Sequence, residues 1–157
     1  MALDLKNYAI SQLEAVRDRY LQDLAALPDE TLAASAGGAS RAPTHFTYEI
    51  MCVNQRFVKR LRGEDPGAFD PGMWTNTPDE YITRSGAPEG FKNAMNDVIE
   101  AVRALPEEEM LREIQTPGGS TTPFDLALFC ATHVNYHDGQ LNYIQAINGD
   151  PDVHWRD

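Results

Sequence analysis

Cysteine is scarce in this sequence of 157 residues. Its two cysteines, Cys52 and Cys130, are far apart, and neither belongs to a C-x2-C pair. We interpret both as small buried apolar residues of a protein in a reducing compartment. The alternative is a thiol beside a metal site, because Cys52 follows Glu49 by one helical turn and Cys130 precedes His133 by three residues.

Positive charge is also scarce. The chain has 13 Lys and Arg against 24 Asp and Glu, which gives a formal net charge of −11 at pH 7. Phosphate binding requires a basic surface, so this composition excludes nucleic acid as a partner. The basic cluster Arg56, Lys59, Arg60 and Arg62 lies near the predicted end of a helix, where cations complement the helix dipole. An anion-binding patch is the less favoured interpretation of this cluster.

Long hydrophobic runs are absent. Hydrophobic residues make up 42% of the chain, which suffices for a core, but no run is long enough to span a bilayer. The segment Met1–Lys6 lacks the basic stretch and apolar run of a secretory signal. We therefore expect a single domain over residues 1–157, located in the cytoplasm and without a membrane partner.

Strand-like alternation is missing, and helical periodicity takes its place. Apolar residues at spacings of three and four, with Pro or Gly near the ends, predict four helices over residues 4–27, 43–61, 88–105 and 122–148. Between the last two helices, Gln115–Ser120 is predicted to be a turn. The pattern indicates an all-α fold, a four-helix bundle.

The connection between the second and third helices is long. Residues 63–88 are rich in Gly, Pro, Asp and Thr, and they include Trp74 and Tyr81. Such a long crossover is uncommon in a compact domain unless it has a function. Its aromatic residues predict that it packs over one end of the bundle.

Two histidines lie on the apolar stripe of the last predicted helix. His133 and His137 are four residues apart and therefore share a helix face. Buried imidazoles need partners, because unpaired polar groups in a core are costly. A divalent metal would satisfy both, and imidazole suits zinc, nickel, iron and copper.

A metal site needs a third protein ligand, and the second helix offers two candidates. Glu49 lies on the apolar stripe between Phe46 and Val53, where an unpaired carboxylate would be destabilising. His45 lies one turn nearer the helix start. We favour Glu49 as the ligand, with His45 as the alternative, and a metal-free bundle in which Glu49 bonds directly to a histidine stays open.

These residues resemble the DinB/YfiT-like superfamily of four-helix bundles. That family carries H-x3-H followed by Gln in its last helix, as do His133, His137 and Gln140, and the segment Thr122–Leu126 is similar to the start of that helix. The family usually has a third His in its second helix. Counting from the predicted helix start, Glu49 occupies that position here, and the change adds a negative charge to the ligand set.

The resemblance implies a divalent-metal site, with zinc or nickel favoured and iron or manganese as alternatives. It implies a small-molecule substrate, a homodimer, and one of two activities: a thiol S-transferase using a low-molecular-weight thiol, or a hydrolase. Tyr136 is the candidate proton donor and Gln140 the candidate hydrogen-bonding residue beside the metal. The alternative is a non-catalytic, dimeric helical module without a metal.

Overall fold

Four long helices dominate the structure, a computed structural model that describes residues 4–155 apart from the side chains of Met73 and Trp74. Helix α1 spans Leu5–Ala26, and a short helix α2 follows at Asp29–Leu32. The other long helices are α3 (Pro43–Leu61), α4 (Gly86–Ala104) and α5 (Pro123–Ile147). Within residues 4–155, no helix is long and apolar enough to cross a membrane.

The long helices form a closed four-helix arrangement, which confirms the predicted all-α bundle. Helix α1 packs between α4 and α5, and α3 packs between the same two helices on the other side. The enclosed core is apolar and nearly free of solvent exposure, with large side chains such as Tyr20, Phe91, Met95 and Leu141. A hydroxyl pair links α1 to α3 in this core, because Tyr20 Oη and Thr47 Oγ1 lie 2.7 Å apart.

The crossover after α3 is ordered by contacts with the bundle. It contains two 3₁₀ turns, at Pro71–Trp74 and Asp79–Tyr81. The ring of Tyr81 stacks on Tyr48 of α3 at 5.6 Å between centroids, and it packs so closely on Gly90 of α4 that a Cβ there would lie 2.8 Å from it. These contacts agree with the predicted packing over the bundle, while the Trp74 side chain lies outside the described part of the structure.

Two details differ from the predictions. Helix α4 begins at Gly86, two residues before the predicted start near Pro88. A proline is tolerated in the first helical turn, because the N–H that it lacks would have no intrahelical partner there. The predicted turn at Gln115–Ser120 is part of a β-hairpin: β1 (Ile114–Thr116) pairs with β2 (Gly119–Thr121) in antiparallel register. Three-residue strands are too short for alternation to be visible in the sequence.

Candidate metal centre

Helix α5 places two imidazoles side by side. The helix begins in a defined register, because the Thr122 hydroxyl accepts a hydrogen bond from the backbone N–H of Asp125 at 3.1 Å. Eleven and fifteen residues after Thr122, His133 and His137 lie on one helix face. Their Nε2 atoms are 3.1 Å apart. His137 is fully buried, and only 14% of the His133 side chain is exposed.

Helix α3 brings Glu49 to the same point. Its Oε1 lies 3.5 Å from Nε2 of His133 and 3.8 Å from Nε2 of His137. Metal bonds from imidazole nitrogen or carboxylate oxygen are about 2.0–2.2 Å long, so two ligands of one ion lie at most roughly 4.2 Å apart. All three separations are below that limit, and the donor set of two nitrogens and one oxygen fits a divalent ion.

Gln140 fixes the orientation and tautomer of His137. Its Oε1 lies 2.8 Å from Nδ1 of that ring. A carboxamide oxygen only accepts, so Nδ1 carries the proton and Nε2 presents its lone pair towards His133 and Glu49. One face of the His137 ring stacks on Phe46, with 5.3 Å between ring centroids and 5° between ring planes. Metal-binding histidines commonly donate a hydrogen bond from the ring nitrogen that does not bind the metal, as Nδ1 does here.

The triad needs a shared cation or proton. The Nε2 lone pair of His137 and the carboxylate of Glu49 both accept hydrogen bonds, and Nε2 of His133 lies 3.1 Å from the first and 3.5 Å from Oε1 of the second. A proton between the two histidines would satisfy one pair of atoms only. A divalent ion would satisfy one atom of each side chain at once, so the residues present fit a metal better than a simple hydrogen-bond network.

Glu49 is held in its charged form. Burial of Glu49 raises the pKa of its carboxyl group, but the neighbouring histidines and the Arg41 guanidinium together outweigh burial and hold the pKa well below its usual range. The Arg41 guanidinium forms an ion pair with Oε2 of Glu49, which leaves Oε1 facing the histidines. Sequence reasoning missed Arg41, because it precedes α3 and belongs to no periodic pattern.

Three other predicted candidates lie outside this cluster. Among the described residues, the cluster of possible metal ligands consists of Glu49, His133 and His137. It contains neither His45 nor either cysteine. Burial raises the pKa of Cys52 and that of Cys130, so both thiols stay protonated. This agrees with the interpretation of the cysteines as buried apolar residues.

Tyr136 has a peripheral position. Its ring contacts that of His137 edge-on, at 4.9 Å between centroids, while the side chain is 63% exposed. One position before His137, Tyr136 therefore projects away from the buried side of α5. Its phenol lies at the surface beside the triad, which is compatible with a proton-donor role that stays a prediction.

One cleft reaches the triad, and a second is lined by residues that contact the triad. The first, which we call the hairpin cleft, has a volume of about 830 Å³ and is bounded by α3, the β-hairpin and the first half of α5. It reaches Glu49 and His133. The second has a volume of about 570 Å³ and is bounded by Arg41, Phe46, Tyr136 and Gln140. A small molecule therefore has access to the triad from solvent.

Comparison with known proteins agrees with this description of a helical bundle. The sequence model of the DinB superfamily matches residues 12–141, so the chain belongs to the DinB superfamily. No curated protein matches the sequence.

Solved structures show the same fold. A DinB-like protein from Bacillus cereus ATCC 10987 has a TM-score of 0.72 at 13% identity, with 90% of this chain and 91% of that chain covered. A DinB-like protein from Bacillus subtilis has a TM-score of 0.68 at 16% identity, with 96% and 99% covered. At these identities the similarity is one of fold, so the function has to be argued from the triad and its clefts.

Proposed function

We propose that this protein is a metal-dependent transferase that adds a low-molecular-weight thiol to a small electrophile, with Glu49, His133 and His137 as ligands of one divalent ion. Zinc or nickel is favoured for two imidazoles and a carboxylate, with iron or manganese as alternatives. The observation that carries the proposal is the convergence of three donor atoms within 4.8 Å of one another on two facing helices.

The number of protein ligands favours catalysis over a structural role. Structural zinc sites usually have four protein ligands, whereas catalytic sites have three and keep a position for water or substrate. Here Glu49 and His133 line the hairpin cleft, which opens to solvent. A bound divalent ion lowers the pKa of a thiol or water ligand towards neutrality, which supplies a nucleophile at pH 7.

The surrounding residues would orient the ligands and the substrate. Gln140 keeps the Nε2 lone pair of His137 directed at the centre, and Phe46 holds the same ring from its face. Arg41 fixes one carboxylate oxygen of Glu49 and balances its charge. Tyr136, at the mouth of the second cleft, is the proposed proton donor for the product.

A conjugation assay tests this function. Protein reconstituted with zinc or nickel is incubated with thiols such as cysteine or glutathione and a chromogenic aryl halide, and thioether formation is followed. We expect turnover that is lost in His133→Ala and retained in His45→Ala. Metal-dependent hydrolysis of ester or amide substrates without thiol transfer would replace the transferase by a hydrolase, with water as the nucleophile.

One observation supports a homodimer, which is expected both of the enzyme and of the alternative, a non-catalytic dimeric module. Exposed aromatic side chains recur every seven residues along α5, and Phe129, Tyr136 and Tyr143 are 55%, 63% and 69% exposed. Such a stripe would suit a homodimer interface. Light scattering would report a dimer that Tyr143→Asp converts to monomer. A monomeric parent protein would exclude this alternative.

A further inference from the structure

We propose that Arg56 and Arg60 bind an anionic group of the substrate or thiol at the far end of the hairpin cleft. The ligands of this protein would then be amphipathic anions, with an apolar body between the anionic group and the reacting atom. That the reacting atom lies at the triad depends on the proposed function. The anion subsite depends only on the residues that line the cleft.

The two arginines lie on the same face of α3 as Glu49. Residues 49, 53, 56 and 60 follow helical spacing and all line the hairpin cleft. At 1.5 Å per residue, Arg56 lies about 10 Å and Arg60 about 16 Å from Glu49 along the helix axis. The cleft therefore has the triad at one end and two guanidinium groups at the other.

The charges of these arginines are not neutralised by an ion pair. In the described chain, neither guanidinium has a carboxylate oxygen within 4.0 Å. Arg56 donates instead to the backbone carbonyls of residues 66, 67 and 68, at 3.0–3.2 Å. Arg60 lies over the ring of Phe57, at 5.9 Å.

The electrostatic surroundings favour an added anion. Burial, and then the charge of Arg56, lower the pKa of Arg60, while Asp65 acts weakly in the opposite direction. The cleft also contains the carboxylate of Asp125, which lies in the first turn of α5, where the helix dipole offsets negative charge, and accepts a hydrogen bond from the Thr122 hydroxyl at 2.8 Å. Two partly desolvated cations without an ion pair would be stabilised by a bound anionic group.

A helix-dipole role does not account for Arg56, although Arg60 lies in the last turn of α3. The dipole acts within the last helical turn, and Arg56 lies five residues before the end of α3 at Leu61. Lys59 and Arg62 meet that role equally well, yet both are exposed and neither lines the cleft. Within this basic cluster, the two arginines that face the cleft are half-buried.

The middle of the cleft is apolar. It is walled by Val53, Phe57, Leu126 and Phe129, which fit a hydrocarbon or aromatic body. An extended chain covers roughly 1.2 Å per bond, so a span of about 10–16 Å corresponds to roughly eight to thirteen bonds. Mercaptooctanoate with a terminal thiol has a suitable length, and mercaptopropionate is too short.

Calorimetric titration of the metal-free protein tests the anion subsite. The probes are octanoate, octyl phosphate and the neutral octanol. We expect both anions to bind at least ~10-fold more tightly than octanol, because charge-assisted hydrogen bonds contribute that much. The tighter of the two identifies a carboxylate or a phosphate as the preferred group. Arg60→Gln should remove the preference for an anion over octanol, and Arg60→Lys should keep part of it. Lys59→Gln removes the same charge outside the cleft and should leave the preference unchanged.

Equal affinity for octanoate and octanol, or equal losses in Arg60→Gln and Lys59→Gln, would overturn the inference. Melting curves establish that each variant is folded. A second titration, of cobalt-loaded protein with mercaptooctanoate and mercaptopropionate, tests the proposed function separately through the thiolate-to-cobalt absorption band. Tighter binding of the longer thiol supports both proposals. Absence of the band with either thiol, while octanoate still binds through Arg60, would refute the thiol function and leave the anion subsite in place.

Discussion

Replacement of Glu49 by Gln tests the ligand assignment at a single atom. The substitution keeps the size of the side chain and removes its negative charge. In the parent protein, Oε1 of Glu49 lies 3.5 Å and 3.8 Å from the two histidine nitrogens, while Oε2 pairs with Arg41. The amide would present a neutral oxygen or an NH₂ group to the ion and would leave Arg41 without its partner charge.

The expected loss of affinity follows from this geometry. Removal of a group that only orients a metal ligand already weakens metal binding by about 10–100-fold. Glu49 would bind the ion directly, so Glu49→Gln should lose at least that much, which corresponds to about 1.4–2.8 kcal/mol. The assay is a zinc titration in competition with a chromophoric chelator, which gives a dissociation constant for each variant.

His45→Ala is the matched control, because His45 lies on the same helix one turn earlier and outside the triad. Its dissociation constant should stay within about twofold of the parent value, since it would lose no ligand. The ligand assignment is refuted if Glu49→Gln binds zinc as tightly as the parent protein. A larger loss in His45→Ala than in Glu49→Gln would move the ligand role to His45.

Two further predictions concern the crossover. Arg84 donates to the carbonyls of Leu24 and Ala25, at 3.3 Å and 3.4 Å, and pairs with Asp29, so Arg84→Ala should lower the free energy of unfolding by about 1–2 kcal/mol. Denaturant titration would measure this loss. The control is Arg103→Ala, which removes a more exposed arginine and should lower the free energy of unfolding by about 0.5 kcal/mol or less. Similar losses in the two variants would contradict the role of Arg84. Residues 63–85 should resist limited proteolysis in the native protein because the segment packs on α3 and α4. Rapid cleavage there, at the rate found for an unfolded chain, would count against that packing.

Local signals were enough to predict the main helices. Pro43 and Thr122 mark the beginnings of α3 and α5, and the apolar stripes give their extents. The triad was predictable for a related reason, because Glu49, His133 and His137 each place a polar group on an apolar stripe. Two helices that bury such residues on facing sides bring them together.

The remaining features depend on contacts between distant parts of the chain. Arg41 reaches Glu49 from the loop before α3, and the loop carbonyls that accept from Arg56 lie ten to twelve residues further along the chain. The hairpin cleft forms only when α3, the loop after it and β1–β2 meet. Contacts between distant segments leave no periodic pattern in the sequence. Arg56 and Arg60 were therefore interpreted from the sequence as ordinary cations near the end of a helix.

The metal content of the purified protein is the most direct test of the central claim that Glu49, His133 and His137 form a metal centre. The protein is produced in medium supplemented with zinc and nickel, dialysed, and measured by elemental analysis beside His137→Ala. We predict close to one divalent ion per chain in the parent protein and none above background in the variant. A parent protein without metal, or a His137→Ala variant with undiminished metal content, would contradict the account.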